Sequence, residues 1–156
     1  MAASARLRVG LISDTHNLLR PEAIDFLRGS DHIVHAGDIM GAAILDELAR
    51  LAPLTAVRGN NDRGAWADRL GEVEILRLGG VTLCAIHDLA DLDLDLESAG
   101  VDVVVSGHSH KPLVERRGSA LFVNPGSAGP RRFKLPIAAA ELLIEGSSVS
   151  ARIVEL

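Results

Sequence analysis

The sequence predicts a layered α/β domain, with mixed β-sheets inside and helices packed outside. Three observations favour this fold class. The first half of the 156-residue chain alternates short apolar runs with helical patterns. The second half consists mostly of strand patterns. The first apolar run is nearly continuous, which is typical of a strand buried on both faces. At this length we expect one domain that spans residues 1–156.

In the first half, apolar runs predict three strands, and proline and glycine mark the limits of the helices between them. Pro21 fits the first turn of a helix, and Gly29 ends it. Leucine and isoleucine at helical spacing predict a second helix, which Pro53 stops. The predicted strands are residues 6–13, 32–35 and 54–57, and the predicted helices are 21–28, 42–51 and a short one at 64–70.

In the second half, Gly79-Gly80 predicts a tight hairpin between two strands. Residues 88–100 are ambiguous: we favour a short helix near 91–98, and a half-buried strand is the alternative because leucines alternate with acids there. Gly118 and Gly146 predict two further turns. The predicted strands are 73–78, 81–87, 101–106, 112–115, 120–123, 137–144 and 149–155.

Composition excludes several classes of protein. Apolar residues make up 47% and charged residues 24%, as in a folded globular domain. The net charge of -5 disfavours binding to nucleic acid. No run approaches the roughly 20 apolar residues of a membrane span, and residues 1–8 lack the apolar stretch of a signal peptide. Cys84 lies in an apolar run and is expected to be a buried thiol. We therefore expect a cytoplasmic protein.

Polar residues that bind metals well follow many of the predicted strands. Sites in layered α/β proteins gather at the carboxyl ends of strands, so these residues are expected to meet. Their carboxylate, imidazole and amide groups suit Mn, Fe, Co, Ni or Zn. Two adjacent ions need a shared anionic ligand, for which Asp38 is the candidate. The patches are Asp14-Thr15-His16, His35 to Asp38, Arg58 to Asp62, His87, Gly107 to His110 and Asn124 to Ser127.

Together these motifs resemble the calcineurin-like metallophosphoesterases, and more closely their small single-domain phosphodiesterases from bacteria and archaea. The resemblance covers residues 7 to about 145. It implies a four-layer α/β/β/α sandwich of two mixed sheets flanked by helices, the metallophosphoesterase fold. It also implies that one metal ion is bound by Asp14, His16 and His110, the second by Asn60, His87 and His108, and that Asp38 bridges them.

The expected cofactors are two divalent transition-metal ions, with Mn preferred and Ni, Co, Fe or Zn as alternatives. Such a pair, roughly 3.5–4 Å apart, acidifies a shared water, and the resulting hydroxide attacks phosphorus in line with the leaving oxygen. No protein nucleophile is needed. The residues predicted to take part in catalysis are Asp38, Asn60 and His108.

The sequence departs from the wider superfamily at two positions. Asn61 stands where many members carry a histidine that acts on the leaving group. An amide does not donate a proton as a general acid at neutral pH, so esters with an easily expelled leaving group, such as aryl esters, are favoured. Asp88-Leu89 follows His87, where the family often has Gly-His, which predicts a short or rearranged access loop.

Further residues are predicted to surround the metals. Asn124 and Ser127 are expected to line the pocket, although Asn, Pro, Gly and Ser also favour a plain turn. Arg131 and Arg132 are predicted to contact the phosphate. Behind the ligands, Arg58 and Asp62 are predicted to form a pair that holds their loop, and His35 to be buried beside the site without binding metal.

The predicted function is therefore a metal-dependent phosphoesterase that hydrolyses small phosphodiesters. The alternatives are a phosphomonoesterase, a nucleotide phosphohydrolase, or a non-catalytic protein-binding scaffold such as the retromer subunit that has this fold. The expected partner is a small phosphate ester, with no nucleic acid and no membrane, and a homo-oligomer stays open.

Overall fold

The computed structural model describes residues 6–156. The expectation that residues 1–8 are no signal peptide therefore falls mainly outside the described residues. The elements, in chain order, are β1 (Arg6–Ile12), α1 (Pro21–Leu27), β2 (His32–His35), α2 (Ala42–Ala49), β3 (Leu54–Ala56), α3 (Ala65–Asp68), β4 (Val73–Leu78), β5 (Val81–Ile86), a 3-10 turn (Leu89–Asp91), α4 (Leu96–Ala99), β6 (Val103–Val105), β7 (Leu113–Arg117), β8 (Ala120–Asn124), β9 (Ala138–Glu145) and β10 (Ser148–Glu155).

The described strands form two mixed sheets. The first has the order β10-β9-β1-β2-β3 and the second β4-β5-β6-β8-β7. In the first sheet β1, β2 and β3 are parallel, and in the second β5, β6 and β8 are parallel. The antiparallel strands lie on the flanks. Each sheet therefore contains three adjacent parallel strands, whose carboxyl ends lie at the same edge of the sheet.

Three apolar layers hold the sheets and helices together. The central layer packs the two sheets face to face and contains Leu11, Val34, Leu83 and Val105. A second layer packs α1 and α2 on the outer face of the first sheet. The third is thinner and packs the 3-10 turn and α4 on the outer face of the second sheet. The predicted four-layer α/β/β/α architecture is confirmed.

The prediction for residues 88–100 was wrong in part. Instead of one helix near 91–98, a 3-10 turn and the four-residue helix α4 are separated by extended backbone. The reason is capping: Asp88 accepts a hydrogen bond from the Ala90 amide, and Asp95 accepts one from the Ser98 amide. Each carboxylate starts a new short turn. Among residues 6–156, no helix is both long and apolar enough to span a membrane.

Candidate metal centre

Loops that leave the parallel strands bring six of the predicted residues to one edge of the two sheets. Asp14 and His16 follow β1, Asp38 follows β2, and His87 follows β5. After β6, the same loop carries His108 and His110. Of these, Asp14, Asp38, His87 and His110 are at most 4% exposed.

A first group consists of Asp14, His16 and His110, whose ligand atoms all lie within 4.8 Å of one another. His110 Nε2 is 3.4 Å from Asp14 Oδ1, and His16 Nε2 is 3.9 Å from the same oxygen. This is the set predicted for one metal ion. Two imidazoles and a carboxylate are suitable ligands for a divalent transition metal.

A second group consists of Asp14, Asp38 and His87, again within 4.8 Å. His87 Nε2 is 3.4 Å from Asp38 Oδ2 and 4.0 Å from Asp14 Oδ1. His16 Nε2 is also 3.8 Å from Asp38 Oδ2. Asp38 therefore stands next to histidines of both groups, as a bridging ligand would. Asp14 belongs to both groups as well.

Several polar atoms in this cluster are buried without a hydrogen-bond partner: Asp14 Oδ1, His16 Nε2, His87 Nε2 and His110 Nδ1. Buried polar atoms are normally paired, since an unpaired one costs about 1–3 kcal/mol. Two of them, His16 Nε2 and His87 Nε2, lie 3.9 and 4.0 Å from a third, Asp14 Oδ1. A cation between them would satisfy all three, so the residues present fit a divalent metal.

Neighbouring groups hold the ligands in this orientation. The Ser13 hydroxyl and the His108 amide both donate to Asp14 Oδ2, which leaves Oδ1 facing the cluster. The Asn61 amide donates to Asp38 Oδ1 at 2.9 Å, and the Asn61 side chain donates to Oδ2 at 3.0 Å. Asn61 thus fixes the carboxylate that sequence reasoning assigned to the bridge.

In the cluster, hydrogen bonds and neighbouring charges counteract the effect of burial on the pKa values of the carboxylates and of His87. Burial alone would raise the pKa of Asp14 and of Asp38, yet hydrogen bonds from Ser13 and Asn61 and the adjacent histidines hold both pKa values below the ordinary range. Burial would lower the pKa of His87, but contact with the Asp38 carboxylate raises it. For His16 the effect of burial is larger than that of the neighbouring carboxylates, so its pKa is lowered. The carboxylates are therefore ionised near neutral pH, as metal ligands must be.

The loops at the site have left-handed backbone at residues other than glycine. The dihedral φ is 54° at Asp14, 46° at His16, 56° at Asp38, 72° at His108 and 62° at His110. Such conformations cost about 1 kcal/mol or more each and persist where surrounding contacts enforce them. Sequence reasoning missed this feature, because none of these five positions is itself a glycine, the residue that most often adopts this conformation.

Of the residues predicted for the second metal ion, His108 lies outside both groups, while Asn60 is an amide and the groups contain only histidines and carboxylates. The His108 side chain is 46% exposed, and its Nε2 lies 3.7 Å from Asp88 Oδ2. Asn60 is exposed and lines a cleft with His87 and Asp88. Their ligation of metal stays a prediction. Asp88 was missed as a site residue; its position directly after His87 was the available signal.

The predicted substrate residues divide into two kinds. Asn124 is buried, and its amide donates to the Gly107 carbonyl and the Ser109 hydroxyl, so it braces the loop that carries His108. Ser127 is also buried and donates to the Asp14 carbonyl. Arg131 and Arg132 are exposed. Burial lowers the pKa of His16, and the charge of Arg132 adds to this effect.

The predicted pairing of Arg58 with Asp62 was wrong. Arg58 pairs with Glu72 at 3.1 Å, while Asp62 accepts hydrogen bonds from the amides of Gly59 and Met40. The reason is that two backbone donors converge on Asp62 and fill its oxygens. His35 is fully buried, accepts from the Gly37 amide at Nδ1 and contacts the Thr15 hydroxyl through Nε2.

Both the sequence and the fold of this chain are similar to those of known proteins. A family model described as the calcineurin-like phosphoesterase superfamily domain matches residues 7–146. A probable metallophosphoesterase from Methanothermobacter thermautotrophicus is 36% identical, over 94% of this chain and 91% of that protein. A phosphodiesterase from Methanocaldococcus jannaschii is 27% identical, over 77% of this chain and 83% of its own. The structure of vacuolar protein sorting 29 from Cryptosporidium parvum is 19% identical, with a TM-score of 0.83 over 97% of this chain and 92% of that one.

Proposed function

The chain belongs to the calcineurin-like phosphoesterase superfamily, and on that premise we propose that it hydrolyses small phosphodiesters at a two-metal site. The superfamily supports phosphoester hydrolysis. The similarity to a phosphodiesterase of Methanocaldococcus jannaschii supports diesters as the substrate class. The observation that carries the proposal is the set of unpartnered buried atoms on Asp14, His16 and His87.

We assign Asp14, His16 and His110 to one ion and His87, Asn60 and His108 to the other, with Asp38 shared. Mn is the preferred metal, and Ni, Co, Fe and Zn are the alternatives. When bound, such an ion pair supplies hydroxide from water at neutral pH and neutralises charge on phosphoryl oxygens.

Protein groups around the ligands orient the Asp38 carboxylate and add positive charge that attracts the substrate. Asn61 keeps the Asp38 carboxylate in one orientation through two hydrogen bonds. Arg131 and Arg132 add local positive charge to a chain of net charge -5, which favours approach of an anionic ester. Because the Asn61 amide is no proton donor for the leaving oxygen, alcohols of low pKa leave most easily.

A non-catalytic role is the second candidate, favoured by the close likeness of the fold to vacuolar protein sorting 29. A phosphomonoesterase or a nucleotide phosphohydrolase would use the same ligands on a different ester. The cytoplasmic location, the absence of nucleic-acid and membrane partners, and a homo-oligomeric state stay predictions. A substrate panel and an activity test distinguish the phosphodiesterase, the phosphomonoesterase, the nucleotide phosphohydrolase and the non-catalytic role.

The test is turnover of bis(4-nitrophenyl) phosphate with added Mn, Ni, Co or Zn, compared with 4-nitrophenyl phosphate. We expect faster hydrolysis of the diester, and a loss of about a thousandfold or more in kcat/KM for Asp38→Asn. The matched control is Asp25→Asn on the exposed face of α1, which should keep full activity. Absence of hydrolysis with all four metals would contradict the proposal, and preference for the monoester would shift the substrate class.

A further inference from the structure

A second feature lies beside the candidate metal centre. A cleft of about 370 Å³ opens between the loop after β5, the loop from β6 to β7, and strand β8. His108 and Asp88 stand at its edge, and Leu89, Leu113 and Phe122 are among its walls. Volumes of this order hold a small organic group.

The cleft adjoins the candidate metal centre at the His108 side chain. The His108 ring lines the cleft and also meets the His87 ring edge-on, with centroids 5.2 Å apart. His87 in turn contacts Asp38 at 3.4 Å. If the phosphorus of a diester lies at the cluster, one of its two alcohol groups can therefore extend towards the cleft.

The walls of the cleft are mainly apolar, and its charged groups are the Lys111 ammonium and the Asp88 carboxylate. Leu113 is 40% exposed although it is a large aliphatic residue. Phe122 lines the cleft with the 8% of its surface that is exposed, and the Arg117 guanidinium lies 4.7 Å from its ring centroid. Lys111 lies at the cleft, and within residues 6–156 its ammonium has no ion-pair partner. Apolar walls with one cation and one carboxylate suit an aromatic ring that carries a polar group.

We propose that this cleft binds an aromatic ring on the leaving alcohol of the phosphodiester. The inference rests on the proposed function for the position of the phosphorus, and it extends that function by naming the leaving group. Two kinds of substrate share this chemistry, namely esters of phenols and esters of nucleosides. Of these two, the phenolic ester also agrees with Asn61, since phenols need little protonation to leave whereas the aliphatic alcohol of a nucleoside needs it.

The test measures affinity and not turnover. Phenylphosphonate and methylphosphonate are titrated calorimetrically into the Zn-loaded protein, and the ratio of their dissociation constants reports on the ring alone. We expect phenylphosphonate to bind about tenfold tighter, because its ring leaves water. Leu113→Asn should bring this ratio close to one. Val114→Asn is the matched control, since Val114 is equally exposed on the same strand but lies outside the cleft.

A second arm identifies the source of the ring. Adenosine 5'-monophosphate is compared with ribose 5-phosphate in the same titration. A larger ratio for this pair than for the phosphonates supports a nucleoside ester, and a smaller one supports a phenolic ester.

Four results would overturn the inference: a phenyl-to-methyl ratio near one in the wild type, a ratio that survives Leu113→Asn, equal losses in both variants, or no binding of phenylphosphonate to the Zn-loaded wild type. Failure of the proposed function is a separate result, in which the ratio and its loss in Leu113→Asn are as expected but bis(4-nitrophenyl) phosphate is not hydrolysed.

Discussion

His87 points its Nε2 at Asp38 Oδ2, 3.4 Å away, although the two residues come from different sheets. The orientation is set from behind, because His87 Nδ1 lies 2.7 Å from the Ala36 carbonyl and donates to it. The nitrogen that faces the cluster is then the one that carries a lone pair in the neutral ring. This is the arrangement by which proteins prepare a histidine to bind metal.

Replacement of His87 by alanine should therefore weaken metal binding. We expect an affinity loss of at least about a hundredfold, since a prepared ligand and its orienting hydrogen bond are both removed. Competition with a fluorescent chelator measures it. His32→Ala is the control, because His32 contacts Thr55 away from the cluster and should leave the affinity unchanged. Equal affinities for His87→Ala and wild type would remove His87 from the site.

The stability of the metal-free protein should depend on His35. Burial lowers the pKa of His35 from 6.5 to about 3. Between these values the unfolded state binds a proton that the folded state does not, so stability is full above pH 6.5 and falls as the pH drops towards 3. Between pH 6.5 and 5 this single group should remove about 1.5 kcal/mol of unfolding free energy.

His35→Gln provides the measurement, because glutamine can keep the hydrogen bonds to Thr15 and Gly37 without titrating. Urea unfolding in the presence of a chelator is compared at both pH values. The variant should lose about 1.5 kcal/mol less than the wild type over this interval. Identical pH dependence in the two proteins would show that His35 is not held neutral by burial.

Arg8 should contribute more to stability than Arg152, although both pair with the buried Glu141. Arg8 Nε lies 2.6 Å from Glu141, and its other nitrogens donate to the carbonyls of Phe26 and Arg28. Arg152 pairs at 2.7 Å but its side chain is 66% exposed. We expect Arg8→Ala to cost about 3 kcal/mol and Arg152→Ala less than about 1 kcal/mol in urea unfolding. Equal costs would contradict this account.

Gly59 should tolerate no side chain. An added Cβ at this position would overlap the backbone nitrogen and the carboxylate of Asp38. Gly59→Ala is expected to destabilise the fold by about 3 kcal/mol and to lower metal affinity, because Asp38 must move. Gly118→Ala is the control: its φ of 59° adds strain of about 1 kcal/mol, but the space around it is open. Metal titration of a folded Gly59→Ala with wild-type affinity would refute the expected displacement.

The strands and the loops that carry the ligands could be predicted because their signal is local. The apolar run before Asp14 and the one before His87 each form a strand, and both strands end at the same edge of the structure. The family resemblance added the pairing of His110 with Asp14, which lie 96 positions apart in the sequence.

The left-handed backbone of Asp14 could not be predicted, since it is enforced by distant contacts. The Asp14 amide donates to the Gly37 carbonyl, and its Oδ2 accepts from the His108 amide. Nor could the role of Asn124 be predicted in full. Asn-Pro-Gly-Ser indicates a turn, but the partners of the Asn124 amide, Gly107 and Ser109, meet it only through pairing of β6 with β8.

The most direct test of the central claim is diffraction from crystals grown with Mn, measured above and below the Mn absorption edge. Two anomalous peaks roughly 3.5–4 Å apart are expected. One should lie against Asp14, His16 and His110, and the other against His87, with Asp38 between them. Absence of both peaks, or peaks only at other places on the protein, would contradict the claim that this cluster binds a pair of metal ions.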